Sequence, residues 1–160
     1  MTARIGAKMF YIGVDTGKNG GIAIIRDDEQ SVQSFVYTEP KFREVCDTYK
    51  DDCKVIVEKV HAMPNQGVVS MFSFGRSYGY ILGVLEASGI NYCLVDPKRW
   101  KWHFRLSSDK SESIKLCQKL FPNHDLKRTE RCRTPHDGKA EALLIALYGL
   151  RNDKSKHILK

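Results

Sequence analysis

Residues 53–64, CKVIVEKVHAMP, decide the fold class of this chain and raise the first question about its function. The β-branched run Val55-Ile56-Val57 is typical of a strand that is buried on both faces, as in a parallel sheet. Glu58 then stands where another apolar residue would fit. Because a carboxylate at the end of a buried strand is costly unless it is paired or binds a cation, Glu58 requires a partner.

The pattern on either side of this strand predicts an α/β fold. Three apolar runs precede it, at residues 9–14, 22–25 and 31–37, and the turn residues between them predict an antiparallel meander. A helical spacing of apolar residues follows over 41–50. Beyond the strand at 53–58, the sequence predicts a helix over 68–88, a strand over 91–95, and helices over 108–120 and 134–150. This order predicts a mixed five-stranded sheet with helices on both faces, in a single domain spanning 1–160 with a frayed tail over 151–160.

Composition restricts the classes of partner. Lys and Arg number 26 against 19 Asp and Glu, a net charge of +7, which favours a polyanion such as nucleic acid over the alternative that the charge serves solubility alone. No apolar run reaches the roughly 18 residues of a membrane span, and the first ten residues lack the features of a secretory signal. The five cysteines are scattered, form no CxxC pair and are expected to be reduced thiols of a cytoplasmic protein.

Three other acidic residues are predicted to lie near Glu58. Asp15 stands at the end of the first strand, and parallel neighbouring strands would bring it to the same sheet edge as Glu58. Asp137 and Glu141 are four residues apart, on one face of the last helix. Converging carboxylates repel one another unless a cation lies between them, and oxygen clusters favour Mg²⁺. Two such ions roughly 4 Å apart catalyse phosphodiester hydrolysis.

Each acid also has a plainer interpretation. In this interpretation, Asp15-Thr16-Gly17 is only a turn, and Glu58 forms an ion pair with Lys or Arg. The segment Thr134–Asp137 resembles a capping box, with Thr as N-cap and Pro at the first helical position. Glu141 would then be a solvent-facing acid of the helix, although its apolar neighbours argue against that position. The presence of all four acids, together with the predicted order of strands and helices, favours the metal site over these separate interpretations.

Three strings, YIGVDTGKNGGIAII at 11–25, VIVEKVH at 55–61 and HDGKAEALLIA at 136–146, resemble the RuvC-type Holliday-junction resolvases, especially the compact versions carried by phages and prophages. The resemblance covers about residues 9–150. It implies an RNase H-like fold, a homodimer, and Mg²⁺ or Mn²⁺ as cofactor, two ions per site. It also implies paired nicks in two strands of like polarity at a four-way DNA junction, in the host cytoplasm if the protein is phage-encoded.

The resemblance assigns the catalytic and metal-binding roles to Asp15, Glu58 and Glu141. The fourth acid departs from the family pattern, because Gly138 stands three residues before Glu141, where the bacterial housekeeping enzymes carry it. Asp137 takes this role here, with His136 as the alternative ligand. The aromatic side chain that stacks on bases at the crossover in this family has three candidates here: His61, Phe72 and Phe74.

Two basic segments are candidates for DNA contacts. The first, DPKRWKWHFR at 96–105, interleaves cations with rings that can stack on unpaired bases, although the tryptophans have the alternative of anchoring the segment to the core. The second, LKRTERCR at 126–133, precedes the acidic helix and would lie beside a scissile phosphate. The predicted phosphate-binding residues are Lys98, Arg99, Lys101, Arg105, Arg128, Arg131 and Arg133.

Gly75, Gly79 and Gly83 recur every fourth residue of the helix predicted over 68–88. Each glycine costs a helix interior about 1 kcal/mol relative to alanine, so another backbone is expected close by. That backbone belongs either to the C-terminal helix of the same chain or to the same helix of a second subunit, and we predict a two-fold homodimer.

Three rival functions fit parts of the sequence. The string GVDTGKNGGIAII also resembles the phosphate loop of actin-like and sugar-kinase ATPases, but those proteins are more than twice as long, so no nucleotide cofactor is expected. The second rival is a nuclease of the same fold that acts on flaps, Y-forks or RNA/DNA hybrids. The third is a junction-binding protein that does not cleave.

Overall fold

The computed structural model describes residues 8–62 and 64–158, and the side chains of the last helix as far as Ser155. The strands are β1 (Phe10–Asp15), β2 (Gly21–Arg26), β3 (Val32–Val36), β4 (Cys53–Glu58) and β5 (Tyr92–Val95). The helices are α1 (Glu39–Tyr49), α2 (Val68–Ala87), α3 (Pro97–His103), α4 (Lys110–Leu120) and α5 (Asp137–Ile158). None of the helices in these residues combines the length and apolarity of a membrane-crossing segment.

The five strands form one mixed sheet in the order β3-β2-β1-β4-β5. The meander β1-β2-β3 is antiparallel, whereas β4 pairs in parallel with both β1 and β5. The central strands β1, β2 and β4 are almost entirely buried, which explains their continuous apolar runs. The predicted mixed sheet is therefore confirmed.

Helices cover both faces of the sheet because alternate residues of each strand point to opposite sides. On one face, Ile12 and Ile24 belong to a core shared with α1 and α2. On the other face, α5 crosses β1 at very short range: a Cβ built on Gly13 would lie 2.1 Å from the backbone oxygen of Ala142. Only glycine permits this approach, and it fixes α5 directly over the strand that ends at Asp15.

The helix predictions need three corrections. No helix was predicted over residues 97–103, but the Asp96 side chain caps α3 by accepting from the backbone N–H of Lys98 at 2.9 Å, and Pro97 occupies its first turn. α5 begins at Asp137 and not at Thr134, because Thr134 lies in a bend and Pro135 pairs with Lys127 in an isolated β-bridge. The capping box proposed for this segment is therefore wrong.

The expected frayed tail is the third correction, since α5 continues past Leu150 to Ile158. Asp153 ties this extension to the sheet: it accepts a hydrogen bond from Tyr11 and pairs with Lys54 at 2.8 Å. Residues 159–160 of the predicted tail lie outside the described residues.

Candidate active site

Two carboxylates stand at adjacent strand ends. Asp15 is the last residue of β1 and Glu58 the last of β4, and these strands run parallel with Val14 opposite Val57. Both side chains therefore emerge at the same sheet edge, as the sequence predicts. The hydroxyl of Thr16 donates to the backbone carbonyl of Glu58 at 3.3 Å, which joins the two strand ends.

A third carboxylate, Glu141, reaches the same place from the second turn of α5 and is only 4% exposed. The pKa of Asp15 is raised to about 8, first by burial and then by the negative charges of Glu58 and Glu141. A hydrogen bond from the Gly17 backbone N–H, at 2.9 Å, and the charge of Lys110 lower the pKa of Asp15 but do not offset these effects. The three acids thus form one repelling cluster.

The fourth predicted acid lies beside a lysine. Asp137 accepts a hydrogen bond from Lys110 Nζ at 2.5 Å. Burial raises the pKa of Asp137, but the bond and the charge of Lys110 outweigh it, so the net shift is downward. His136 has a structural task as the N-cap of α5, since its Nδ1 accepts from the backbone N–H of Lys139 at 3.2 Å.

Packing explains why glycine stands at position 138. A Cβ built there would lie 1.9 Å from the backbone oxygen of Asn19, in the turn between β1 and β2. The first turn of α5 therefore rests on backbone, and no acidic side chain fits at this position. Asp137 is the neighbouring residue with room for a carboxylate.

Two lysines that the sequence analysis did not assign to the acidic cluster balance part of its charge. Lys101 Nζ lies 3.3 Å from Oε1 of Glu141, and its side chain is 21% exposed. Lys110, besides pairing with Asp137, lowers the pKa values of Asp15 and Glu58. Lys101 was predicted to be a DNA contact because segment 96–105 interleaves cations with aromatic rings, whereas in the structure it pairs with Glu141. Recognising Asp96-Pro97 as a helix start would have placed Lys101 in a short helix next to the strand ends.

Trp100 anchors Glu58. Its side chain is fully buried, and its indole Nε1–H donates to Oε2 of Glu58 at 2.7 Å. Burial nevertheless raises the pKa of Glu58, because it outweighs this bond and the lysine charges. Trp102 is 82% exposed, so the anchoring role predicted for the tryptophans holds for Trp100, and only Trp102 is free to stack on a base.

The acids are tied to lysines and tryptophan, and among residues 8–62 and 64–158 no three His, Cys, Asp or Glu side chains are arranged to bind a metal ion. The chemistry of the cluster nevertheless fits a hard divalent cation. Asp15 is 3% exposed and its pKa is raised by two neighbouring carboxylates, so a cation among the three would relieve both effects. Such binding requires Lys101 to leave Glu141.

The remaining predicted DNA contacts are mostly on the surface. The side chains of Lys98, Arg99, Arg105, Arg128, Arg131 and Arg133 are exposed, and Phe72 is 75% exposed. Phe74 is half-buried, and His61 lies 3.4 Å from a carboxylate oxygen of Asp96. The loop that carries the last three arginines is fixed by Lys139, whose buried Nζ donates to the backbone carbonyls of Asp125 and Lys127.

The glycine stripe of α2 lies open. Within the described residues, nothing approaches within 4 Å of a Cβ built on Gly75, Gly79 or Gly83. The alternative in which the C-terminal helix of the same chain packs on the stripe is therefore wrong. Contact with a second subunit stays a prediction.

Comparison with solved structures identifies the fold. The structure of RuvC from Thermus thermophilus aligns over 92% of this chain and 97% of its own, with a TM-score of 0.60 and 15% identity. The structure of T. thermophilus RuvC in complex with a Holliday junction substrate aligns over 91% of this chain and 96% of its own, with a TM-score of 0.61 and 14% identity. No protein-family model and no curated protein matches the sequence. The chain has the RuvC-type, RNase H-like fold.

Proposed function

We propose that this chain is a metal-dependent endonuclease that cuts branched DNA, chiefly four-way junctions, through paired nicks in two strands. The observation that carries the proposal is the convergence of Asp15, Glu58 and Glu141 at one sheet edge, where burial and then the charges of the other two acids raise the pKa of Asp15 to about 8. The fold supports it, since a T. thermophilus RuvC of the same fold has been solved with a Holliday junction substrate. We assign the activity to one domain.

Mg²⁺, with Mn²⁺ as a substitute, fits the three carboxylates, with Asp137 or His136 as a further ligand. A pair of such ions, when bound, activates water and stabilises the leaving oxygen of a phosphodiester. The protein's own contribution is to orient the ligands: Trp100 fixes Glu58, and Ser113 donates to Glu141 at 3.4 Å.

The surrounding cations and rings fit a branched polyanion. The exposed arginines of the loop before α5 would bind phosphates beside the acids, and the exposed rings of Trp102 and Phe72 would stack on unpaired bases. A linear duplex offers the same phosphates but few unpaired bases, so the rings favour branched substrates.

The proposal is tested by incubating the protein and its Glu58→Gln variant with a synthetic four-way junction or a linear duplex, with Mg²⁺ or with a chelator. We expect cleavage only by the unaltered protein, only with metal and mainly of the junction, as two nicks. Flap and Y-fork substrates in parallel measure how strictly four-way junctions are preferred. Binding of the junction without cleavage under any divalent cation would refute the catalytic assignment.

A junction-binding protein that does not cleave is the second candidate. The pairing of Lys101 with Glu141 and of Lys110 with Asp137 favours it, because both acids are neutralised without a metal. The Lys101→Met variant separates the candidates. In a nuclease it should bind Mg²⁺ more tightly in calorimetry, since the ion no longer competes with an ammonium group, whereas a metal-free binding protein should show no Mg²⁺ heat in either form.

We further propose that α2 forms a two-fold dimer interface. Its glycine stripe is open, and Val68 and Val69, which are 84% and 81% exposed, extend the apolar surface at its N-terminal end. Gly79→Leu should reduce the sedimentation coefficient toward that of a monomer. An unchanged sedimentation profile would exclude α2 as the interface.

A further inference from the structure

A buried lysine of α5 has backbone carbonyls as its partners. Lys139 is 8% exposed, and its Nζ donates to the carbonyl oxygens of Asp125 at 3.0 Å and of Lys127 at 2.8 Å. A lysine is almost never buried this far unless its charge has a partner. Both carbonyls belong to the segment that connects α4 to α5, so Lys139 attaches this segment to the helix that carries Glu141.

Two backbone contacts close the base of the same segment. The N–H of His136 donates to the carbonyl oxygen of Leu126 at 2.8 Å, and Lys127 forms a β-bridge with Pro135. Because these pairs hold the two ends side by side, residues 128–133 form one short excursion, which we call the basic loop. The ammonium group of the buried lysine lies at the base of this loop.

The basic loop carries three exposed arginines, Arg128, Arg131 and Arg133, against one acid, Glu130. It leads directly into α5, and Arg133 precedes Asp137 by only four residues. Its guanidinium groups are therefore available to the phosphates of a DNA strand that reaches the acid cluster. Such contacts contribute most when the loop is already held in its binding geometry, because ordering a loop during association costs free energy.

Lys139 acts on this loop through its base. Its ammonium group faces the carbonyls of Asp125 and Lys127 inside the protein, so it is not itself placed to bind a phosphate. Without that group both carbonyls would lose a donor, and they would regain hydrogen bonds only if the base of the loop moved toward water. The orientation of the arginines thus depends on a residue that does not meet the DNA.

We propose that Lys139 is a positioning residue for DNA binding, which holds the basic loop so that its three arginines meet phosphates beside the acid cluster. The inference deepens the proposed function, on which it rests. It concerns how the loop is held, and it is independent of which groups bind a metal ion.

The test measures affinity for a synthetic four-way junction in chelator, over a series of salt concentrations. The proteins are the unaltered chain, Lys139→Met, a variant with all three arginines of the basic loop changed to Gln, and the combination of both changes. Lys139→Met should weaken binding about 10-fold in 0.1 M salt and reduce the slope of log K against log salt by about 1–2. In the Gln background the same substitution should change affinity by less than about two-fold, because the groups that it positions are already gone.

Lys127→Met is the matched control, because it removes the same charge from an exposed side chain beside the basic loop and leaves both carbonyls paired. Any affinity that it costs should be equal in the two backgrounds. Hydrogen exchange followed by mass spectrometry should be faster over residues 124–136 in Lys139→Met and unchanged there in Lys127→Met. Exchange in the central strands should be the same in both variants.

Thermal unfolding shows whether Lys139→Met is folded. If it is not, Lys139→Gln, which keeps an amide donor, takes its place and should show the same pattern with a smaller loss. An equal loss of affinity in both backgrounds, or no loss at all, would overturn the inference and leave the nuclease proposal standing. Failure of the unaltered protein to bind the junction would overturn the proposed function, and this inference with it.

Discussion

Replacing Asp15 by Asn should stabilise the metal-free protein, and the gain should grow with pH. Asn is nearly isosteric with Asp and keeps an oxygen that accepts the bond from the Gly17 backbone N–H. The carboxyl it replaces has its pKa raised from 3.8 to about 8 by burial and by two neighbouring acids. Between these pH values the unfolded chain carries an ionised Asp15, whereas the folded protein carries a protonated one.

The sign follows from proton linkage. A carboxyl whose pKa is raised on folding takes up a proton when the chain folds, so stability falls as pH rises from the unfolded toward the folded pKa. Each pH unit in this window is worth about 1.4 kcal/mol. The difference in free energy of unfolding between Asp15→Asn and the unaltered protein should therefore increase by roughly 2.7 kcal/mol between pH 5 and pH 7.

Urea unfolding of both proteins in chelator at pH 5, 6 and 7 measures this difference. Asp51→Asn, at an exposed position, is the matched control and should show no comparable slope. Added Mg²⁺ should reduce the advantage of Asp15→Asn at pH 7, because a cation stabilises the ionised carboxylate. A difference that is constant from pH 5 to pH 7 would refute the raised pKa and the convergence of acids behind it.

Two further changes test the packing of the site. Gly138→Ala should destabilise the protein by about 3 kcal/mol or more in thermal unfolding, because its Cβ would meet the backbone oxygen of Asn19. The matched control is Gly67→Ala at the start of α2, where a Cβ would meet nothing closer than Ser70 Oγ at 4.0 Å, and it should cost less than about 1 kcal/mol. Trp100→Phe should cost about 1–3 kcal/mol in urea unfolding at neutral pH, because Glu58 loses its indole donor. Equal stabilities of the two glycine variants, or an unaffected Trp100→Phe, would contradict the contacts described for them.

Much of this fold is encoded locally. The continuous apolar strands, the turns between them and the four longer helices follow from periodicity and breaker residues, and the parallel pairing of β1 with β4 follows from the burial of both strands. The convergence of Asp15 and Glu58 required only that pairing, so the sequence sufficed to predict it.

The errors arose where a short-range signal competed with tertiary packing. Thr134 and Pro135 have the composition of a helix start, but Thr134 lies in a bend and Pro135 bridges to Lys127, so His136 is the residue that caps α5. The contact of Lys101 with Glu141 depends on a seven-residue helix and on the position of α5, and neither is visible in sequence spacing. The open glycine stripe shows the reverse case, because the sequence indicates a close neighbour that this chain does not provide.

The separation of the acids along the chain has a consequence for how the protein is made. Asp15 and Glu58 are synthesised early and Glu141 much later, and α5 is also the helix that covers one face of the sheet. A nascent chain that lacks α5 has both an incomplete core and an incomplete acid cluster. Completion of the core and completion of the acid cluster thus depend on the same helix, and under the proposed function a chain without α5 would keep basic surface but lack Glu141 and Asp137.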